Sequence, residues 1–190
     1  MNIFVCDIKK LKRKKKTKNT NLYNMYLETH LSKIKQKAAE REDENFRFRT
    51  FLKGKDSDKV DKIVHQLHKE ITQQIDCKLC GNCCIQLKPR LNEKDIGVLA
   101  QLENISSEEY MEEYCEKDFG DIYLKNIPCR YMDGKKCSIY ESRPTQCKKF
   151  PYTNEEDFIS RLLGMIRFYE ICPIVFNLME RLKGEIRFRR

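Results

Sequence analysis

The chain has 190 residues, a mean hydropathy of −0.71, 35% charged side chains and a formal charge of +9. That length holds one domain with a real core plus an appendage, and no apolar run approaches the roughly 20 residues that a membrane-spanning helix needs. The start, Met1-Asn-Ile-Phe-Val-Cys6, is too short an apolar segment for a signal peptide and lysines follow it, so a cytoplasmic, reducing setting is expected and a disulfide framework is not. The charge is concentrated. Residues 1–20 carry eight Lys/Arg against Asp7, or +7, which leaves +2 for everything else. From Cys77 to Pro173 there are 14 basic and 16 acidic residues, so a basic nucleic-acid-binding face is not supported there.

Residues 1–24 read as a low-complexity basic leader, solvated by self-repulsion and predicted to be disordered. Met25 is an alternative start, with the leader then an upstream extension. Residues 25–76 read as a helical segment packing on the core. Tyr26, Leu27, Leu31, Ile34 and Ala38 step round one face of a helix through about residue 40. Glu42, Asp43 and Glu44 break that pattern, and Phe46, Phe48 and Phe51 follow as three rings expected to dock on the core. Asp56, Ser57 and Asp58 cap a helix running to about Gln74. Val60, Ile63, Val64, Leu67, Ile71 and Ile75 form its buried stripe. His65 and His68 lie on it without a partner motif, so a structural or surface role is expected.

Asn92 caps a further helix with acids in its first turn, and Ser106 with Glu109 has capping-box spacing for the next. Asp133-Gly134 signals a hairpin, with Cys129 and Cys137 on its two opposed strands. Arg143-Pro144 turns the chain towards Cys147. Asn154 caps a helix that buries Phe158, Leu162, Met165, Ile166 and Tyr169. Pro173 suits the first position of a last helix, stopped by Gly184. Residues 185–190 form a basic tail.

The densest signal is Cys77-Lys-Leu-Cys80-Gly81-Asn-Cys83-Cys84, four thiols in eight residues. A thiol every third residue lets a tight turn aim two sulfurs at one ion, and Gly81 supplies the backbone freedom. The same run shares its spacing with the start of a bacterial iron–sulfur segment. Cys129, Cys137, Cys147 and Cys172 complete a set of eight candidate metal ligands over residues 77–184. Cys6 and Cys115 have no ligand-like neighbours and are read as non-ligating. Eight thiols suit two four-thiolate zinc sites, or an iron–sulfur cluster with spare thiols. No His lies in 77–173, which disfavours a catalytic zinc site built on imidazoles. Of the flanking cations, Arg143 is expected to bridge carboxylates with its planar fork, with Asp76, Tyr140 and Glu141 as outer partners.

The cysteine run, Pro128-Cys129, Cys137-Ser-Ile-Tyr-Glu-Ser-Arg-Pro-Thr-Gln-Cys147, Phe150-Pro151 and Cys172-Pro173 together resemble the YkgJ-like CxxCxxCC cysteine-cluster family. The resemblance spans about residues 70–183 and implies zinc or iron chelation through those cysteines. It implies no particular reaction, and no Gly-rich nucleotide loop is present. The expectation is therefore a compact, mainly helical domain with a small β-hairpin, organised around a cysteine-rich metal site. The ion is its expected partner. An iron–sulfur redox protein or enzyme is the alternative, and a zinc-knuckle nucleic-acid module using the basic leader is disfavoured.

Overall fold

The computed structural model describes residues 26–189. The expectations for the 1–24 leader, Cys6 and a start at Met25 lie outside those residues. The described chain is mainly helical with small antiparallel sheets, and it divides into two units. One takes the described residues up to Cys77 together with those from Pro151 onward; the other is Lys78–Phe150.

The first unit holds α1 (Leu31–Glu40), α2 (Glu42–Lys53), α3 (Ser57–Thr72), α8 (Leu162–Tyr169) and α9 (Pro173–Glu185). Its organiser is α9, which packs on α1, α3 and α8. Val175, Leu178, Met179 and Leu182 are buried along α9, and Val60, Val64, Leu67 and Ile71 form the buried stripe of α3. Burying each such side chain is worth about 1.5–3 kcal/mol. Pro173 opens α9 as expected, where its missing N–H costs nothing. Asp56 caps α3 by accepting from the Lys59 N–H at 3.1 Å.

Four local expectations need correction in this unit. The first helix begins only at Leu31, because residues 26–29 are non-helical and Asn177 takes their backbone. Its Oδ1 accepts from Glu28 N–H at 2.9 Å and its Nδ2 donates to Glu28 C=O at 2.8 Å. That first helix ends at Glu40 as expected, and Glu42, Asp43 and Glu44 open α2, where acids favour the positive end of the dipole. Of the three rings, Phe48 is buried and meets Phe188, Phe51 also faces Phe188, and Phe46 points outward. The helix expected from Asn154 begins at Leu162 instead. The N–H groups of Asp157 and Phe158 are held by the Asp61 carboxylate at 2.6 and 2.9 Å, which fixes a turn there. At the other end α9 continues through Gly184 to Glu185.

A buried polar network runs through this unit. Lys183, 1% exposed, donates to Glu44 and Asn45 at 2.7 Å and to Glu180 at 2.8 Å. Glu180 also accepts from the Tyr169 hydroxyl at 2.8 Å and pairs with Arg41. Burial pushes the Glu180 carboxyl up, but Lys183, Tyr169 and Arg41 outweigh it and leave it below the usual carboxylate range. The two histidines of α3 have the structural role expected of them. His68 Nδ1 meets Thr153 Oγ1 at 2.7 Å, and His65 Nε2 meets the Glu155 carbonyl at 3.2 Å.

The second unit contains α4 (Asn82–Gln86), α5 (Glu93–Glu103), α6 (Ser107–Tyr114) and α7 (Thr145–Lys149). A three-stranded antiparallel sheet has the order β1–β3–β2, with β1 at Arg90–Leu91, β2 at Cys115–Asp118 and β3 at Asp121–Leu124. Cys115 pairs with Leu124 and Leu91 with Ile122. The capping box expected at Ser106–Glu109 forms, and Asn92, expected as a cap, forms one with Asp95. The expected hairpin also forms, as β4 (Met132–Asp133) and β5 (Lys136–Cys137). Its core is small: Leu91, Ile96, Leu99, Ala100, Tyr110, Cys115, Leu124 and Tyr131. Among the described residues no single helix is long and apolar enough to cross a membrane.

Candidate metal centre

The cysteine run begins in a 3-10 turn at Cys77–Leu79, passes Cys80, and turns at Gly81 into the short α4, which carries Cys83 and Cys84. Gly81 has φ 64°, in the left-handed region, and is buried. A Cβ there would stand 2.6 Å from the Lys135 carbonyl oxygen and 3.2 Å from the Met132 methyl. Only glycine lets the cysteine loop seat this closely on the β4–β5 hairpin. A second clamp lies beside it, where the Cys129 N–H donates to the Cys84 carbonyl at 2.7 Å.

The hairpin delivers Cys137 on β5, opposite Met132. Cys129 is not on the facing strand, as the turn signal suggested. It precedes β4, and its carbonyl accepts from the Met132 N–H at 2.9 Å. It also packs against the hydrophobic core of the unit.

Cys147 rides on α7, which is too short to hold itself. Its position is fixed from α5: Asp95 Oδ1 accepts from both the Thr145 N–H and the Thr145 hydroxyl at 2.8 Å. Gln146 adds a bond from the Arg90 N–H on β1. Asp95 is therefore a capping residue twice over, for its own helix and for the helix that carries Cys147. The sequence marks only the first role, through the three-residue spacing from Asn92.

These segments bring Cys84, Cys129, Cys137 and Cys147 into one electrostatic neighbourhood. Cys84 is held down to about 7, first by a hydrogen bond from the Cys83 thiol and further by the Arg143 charge. Cys147 is pushed up to about 12 by burial and then by the other three sulfurs. Burial likewise raises Cys129 and Cys137. At neutral pH one thiol is therefore close to ionised and three hold their protons. Among the described residues, no group of three or more His, Cys, Asp or Glu side chains closes on a point as a ready-made metal cage.

The remaining candidates are placed as follows. Cys80 lies in the turn before Gly81, and Cys83 touches Cys84. Cys77 and Cys172 belong to the helical unit, where Cys172 is buried at the N-cap of α9. Cys115, read as non-ligating, is a core residue on β2. Arg143 does not bridge carboxylates. Its guanidinium stacks on Tyr140 at 3.5 Å, while Glu141 is largely exposed and faces Lys78 at 3.8 Å.

An all-sulfur donor set suits a borderline-soft cation such as zinc, or iron, and not a hard oxygen-seeking one. Residues 76–163 match the CxxCxxCC family model, whose description is "Putative zinc- or iron-chelating domain". No curated protein and no solved structure was found to match the chain.

Proposed function

From a chain that carries a CxxCxxCC domain over residues 76–163, we propose a metal-chelating protein whose centre uses the sulfurs of Cys84, Cys129, Cys137 and Cys147. The observation that supports it is the seating of the cysteine loop: the Cys129 N–H bonds the Cys84 carbonyl at 2.7 Å and Gly81 packs against Lys135 and Met132 of the hairpin that carries Cys137. Sulfurs around a tetrahedral zinc at about 2.3 Å stand about 3.8 Å apart, so closing the cage takes side-chain rotation around a seated backbone. Gly81, the Cys84–Cys129 backbone bond and the Asp95–Thr145 cap hold that backbone. Cys84 offers the first sulfur because it is nearest to ionised. Cys147 gives up its proton last, so uptake releases protons and tightens as pH rises. The bound ion supplies the positive charge that makes four half-buried thiolates tolerable. A reducing setting keeps these thiols available.

Elemental analysis of the full chain, purified without air or a His tag, tests this. At least one zinc or iron per chain is expected, falling by one equivalent in Cys137→Ser and in Cys147→Ser but not in Cys115→Ser. Undiminished metal in both site variants would overturn the ligand assignment. Iron with matching sulfide and a broad visible band would move the protein to iron–sulfur redox chemistry.

A further inference from the structure

Among the described residues, two buried side-chain nitrogens lack a hydrogen-bond partner, Nε of Arg143 and Nε of Arg161. Arg161 uses its terminal nitrogens on the carbonyls of Tyr152, Glu155 and Glu156, which explains it as the clasp of a turn. Arg143 has a different setting. Its flat group lies 3.5 Å over the Tyr140 ring, and the buried Pro144 follows it in the chain. Stacking fixes the orientation of the guanidinium without using its N–H donors. The neighbouring acid, Glu141, is turned to Lys78. The groups that feel the Arg143 charge are the sulfurs of Cys84, Cys137 and Cys147.

A buried donor without an acceptor is costly unless an acceptor arrives. A divalent ion bound by four thiolates carries two net negative charges, and a fixed guanidinium beside it removes one. Resting on the chelation proposed above, we infer that Arg143 is the counter-cation of the thiolate centre, its buried Nε–H donating to a sulfur of Cys84, Cys137 or Cys147 that has lost its proton. Arg143 is thus a positioning residue. It selects for a charged, thiolate-rich centre over neutral thiols. Lys78 cannot take this role, since it is more than half exposed and engaged with Glu141 and the Tyr140 ring.

The test uses the full chain with zinc, by competition against a chromophoric chelator, and with cobalt(II), by its thiolate-to-metal absorption band. Arg143→Gln is expected to weaken zinc binding about 10–100-fold, as loss of an outer-shell partner does. It should also move the cobalt band to lower energy, because a sulfur without its hydrogen bond is a stronger electron donor. Arg143→Lys, which keeps the charge and loses the Nε–H, should recover part of the affinity and leave the band displaced. Wild-type affinity and band in Arg143→Gln would overturn the assignment. So would weaker binding with an unmoved band and no recovery by lysine, the pattern of a purely structural stack. If circular dichroism shows Arg143→Gln unfolded, the band of Arg143→Lys decides: displaced supports the assignment, unmoved overturns it. A wild-type chain that takes up neither ion removes the chelation reading itself, and is distinct from a wild type that binds beside unaltered variants.

Discussion

Each unit buries a nitrogen of a cationic side chain, Lys183 in one and Arg143 in the other, and the two are treated in opposite ways. In the helical unit Lys183 is 1% exposed and its ammonium has three oxygen partners within 2.8 Å. In the cysteine unit the buried Nε of Arg143 has none, and the thiols around it mostly keep their protons. The aliphatic packing also differs, being continuous along α3 and α9 in one case and confined to a short list around Tyr110 in the other. The Lys183 site is thus electrostatically finished, although Arg161 Nε of the same unit also lacks a partner, whereas on the chelation reading the Arg143 site awaits an occupant. Stability in the helical unit comes from packing; in the cysteine unit, on that reading, a share is left to be supplied by what binds.

The comparison breaks most visibly at Lys183. Lys183→Met strips a buried partner from Glu44, Asn45 and Glu180, and a loss of about 3–5 kcal/mol is expected in urea unfolding. A change below about 1 kcal/mol would mean that the network is not the keystone of its unit. Gly81→Ala comes next, since its Cβ meets the Lys135 carbonyl and φ 64° strains any L-residue. About 2–3 kcal/mol is expected, with metal retention falling alongside. An alanine variant that unfolds and holds metal like wild type would show that the loop need not seat on the hairpin.

The smallest expected effect is pH-dependent. Burial, and then the nearby His65, lower the His68 pKa below its ordinary 6.5. The unfolded chain therefore takes the proton first as pH falls, so the contribution is intact above the ordinary value and is lost on acidification below it. Glu180, also lowered, loses its contribution in a separate and more acid window, below the usual carboxylate pKa. His68→Gln should flatten the stability profile between about pH 7 and pH 5, read from denaturant midpoints. An unchanged slope would assign that window to another group.

Much of the frame was legible because local chemistry dictated it. Asp56 before the α3 stripe, the Asn92 cap, the Ser106–Glu109 capping box, Asp133-Gly134 and Pro173 each carry their signal within four residues. The β2–β3 pair was not legible. Its strands read Cys-Glu-Lys-Asp and Asp-Ile-Tyr-Leu without clean alternation, and the turn uses Phe119 in the left-handed region, where a bulky residue is not expected. At the site, the cysteines announced themselves by spacing, but their scaffold did not. The Asp95–Thr145 cap joins residues 50 apart. Arg143 read as a carboxylate binder because its proximity to Tyr140 in space, not charge, decides where its plane lies. A long-range pair such as Asp95 and Thr145 leaves no periodic trace in a single sequence.

The helical unit is interrupted in the chain by the cysteine unit, and this sets the order of events during synthesis. The stripe of α3 ends at Thr72, while α9, which covers it, begins at Pro173. One hundred residues are made between them, about 5–20 s at translation rates of about 5–20 residues per second. Throughout that interval Val60, Val64, Leu67 and Ile71 await their partner helix, and by its end every segment of the cysteine unit has been synthesised. The nascent chain therefore completes its thiol-bearing half first and closes its oily half last, so a stall late in translation would leave a chain able to gather its sulfurs but prone to stick.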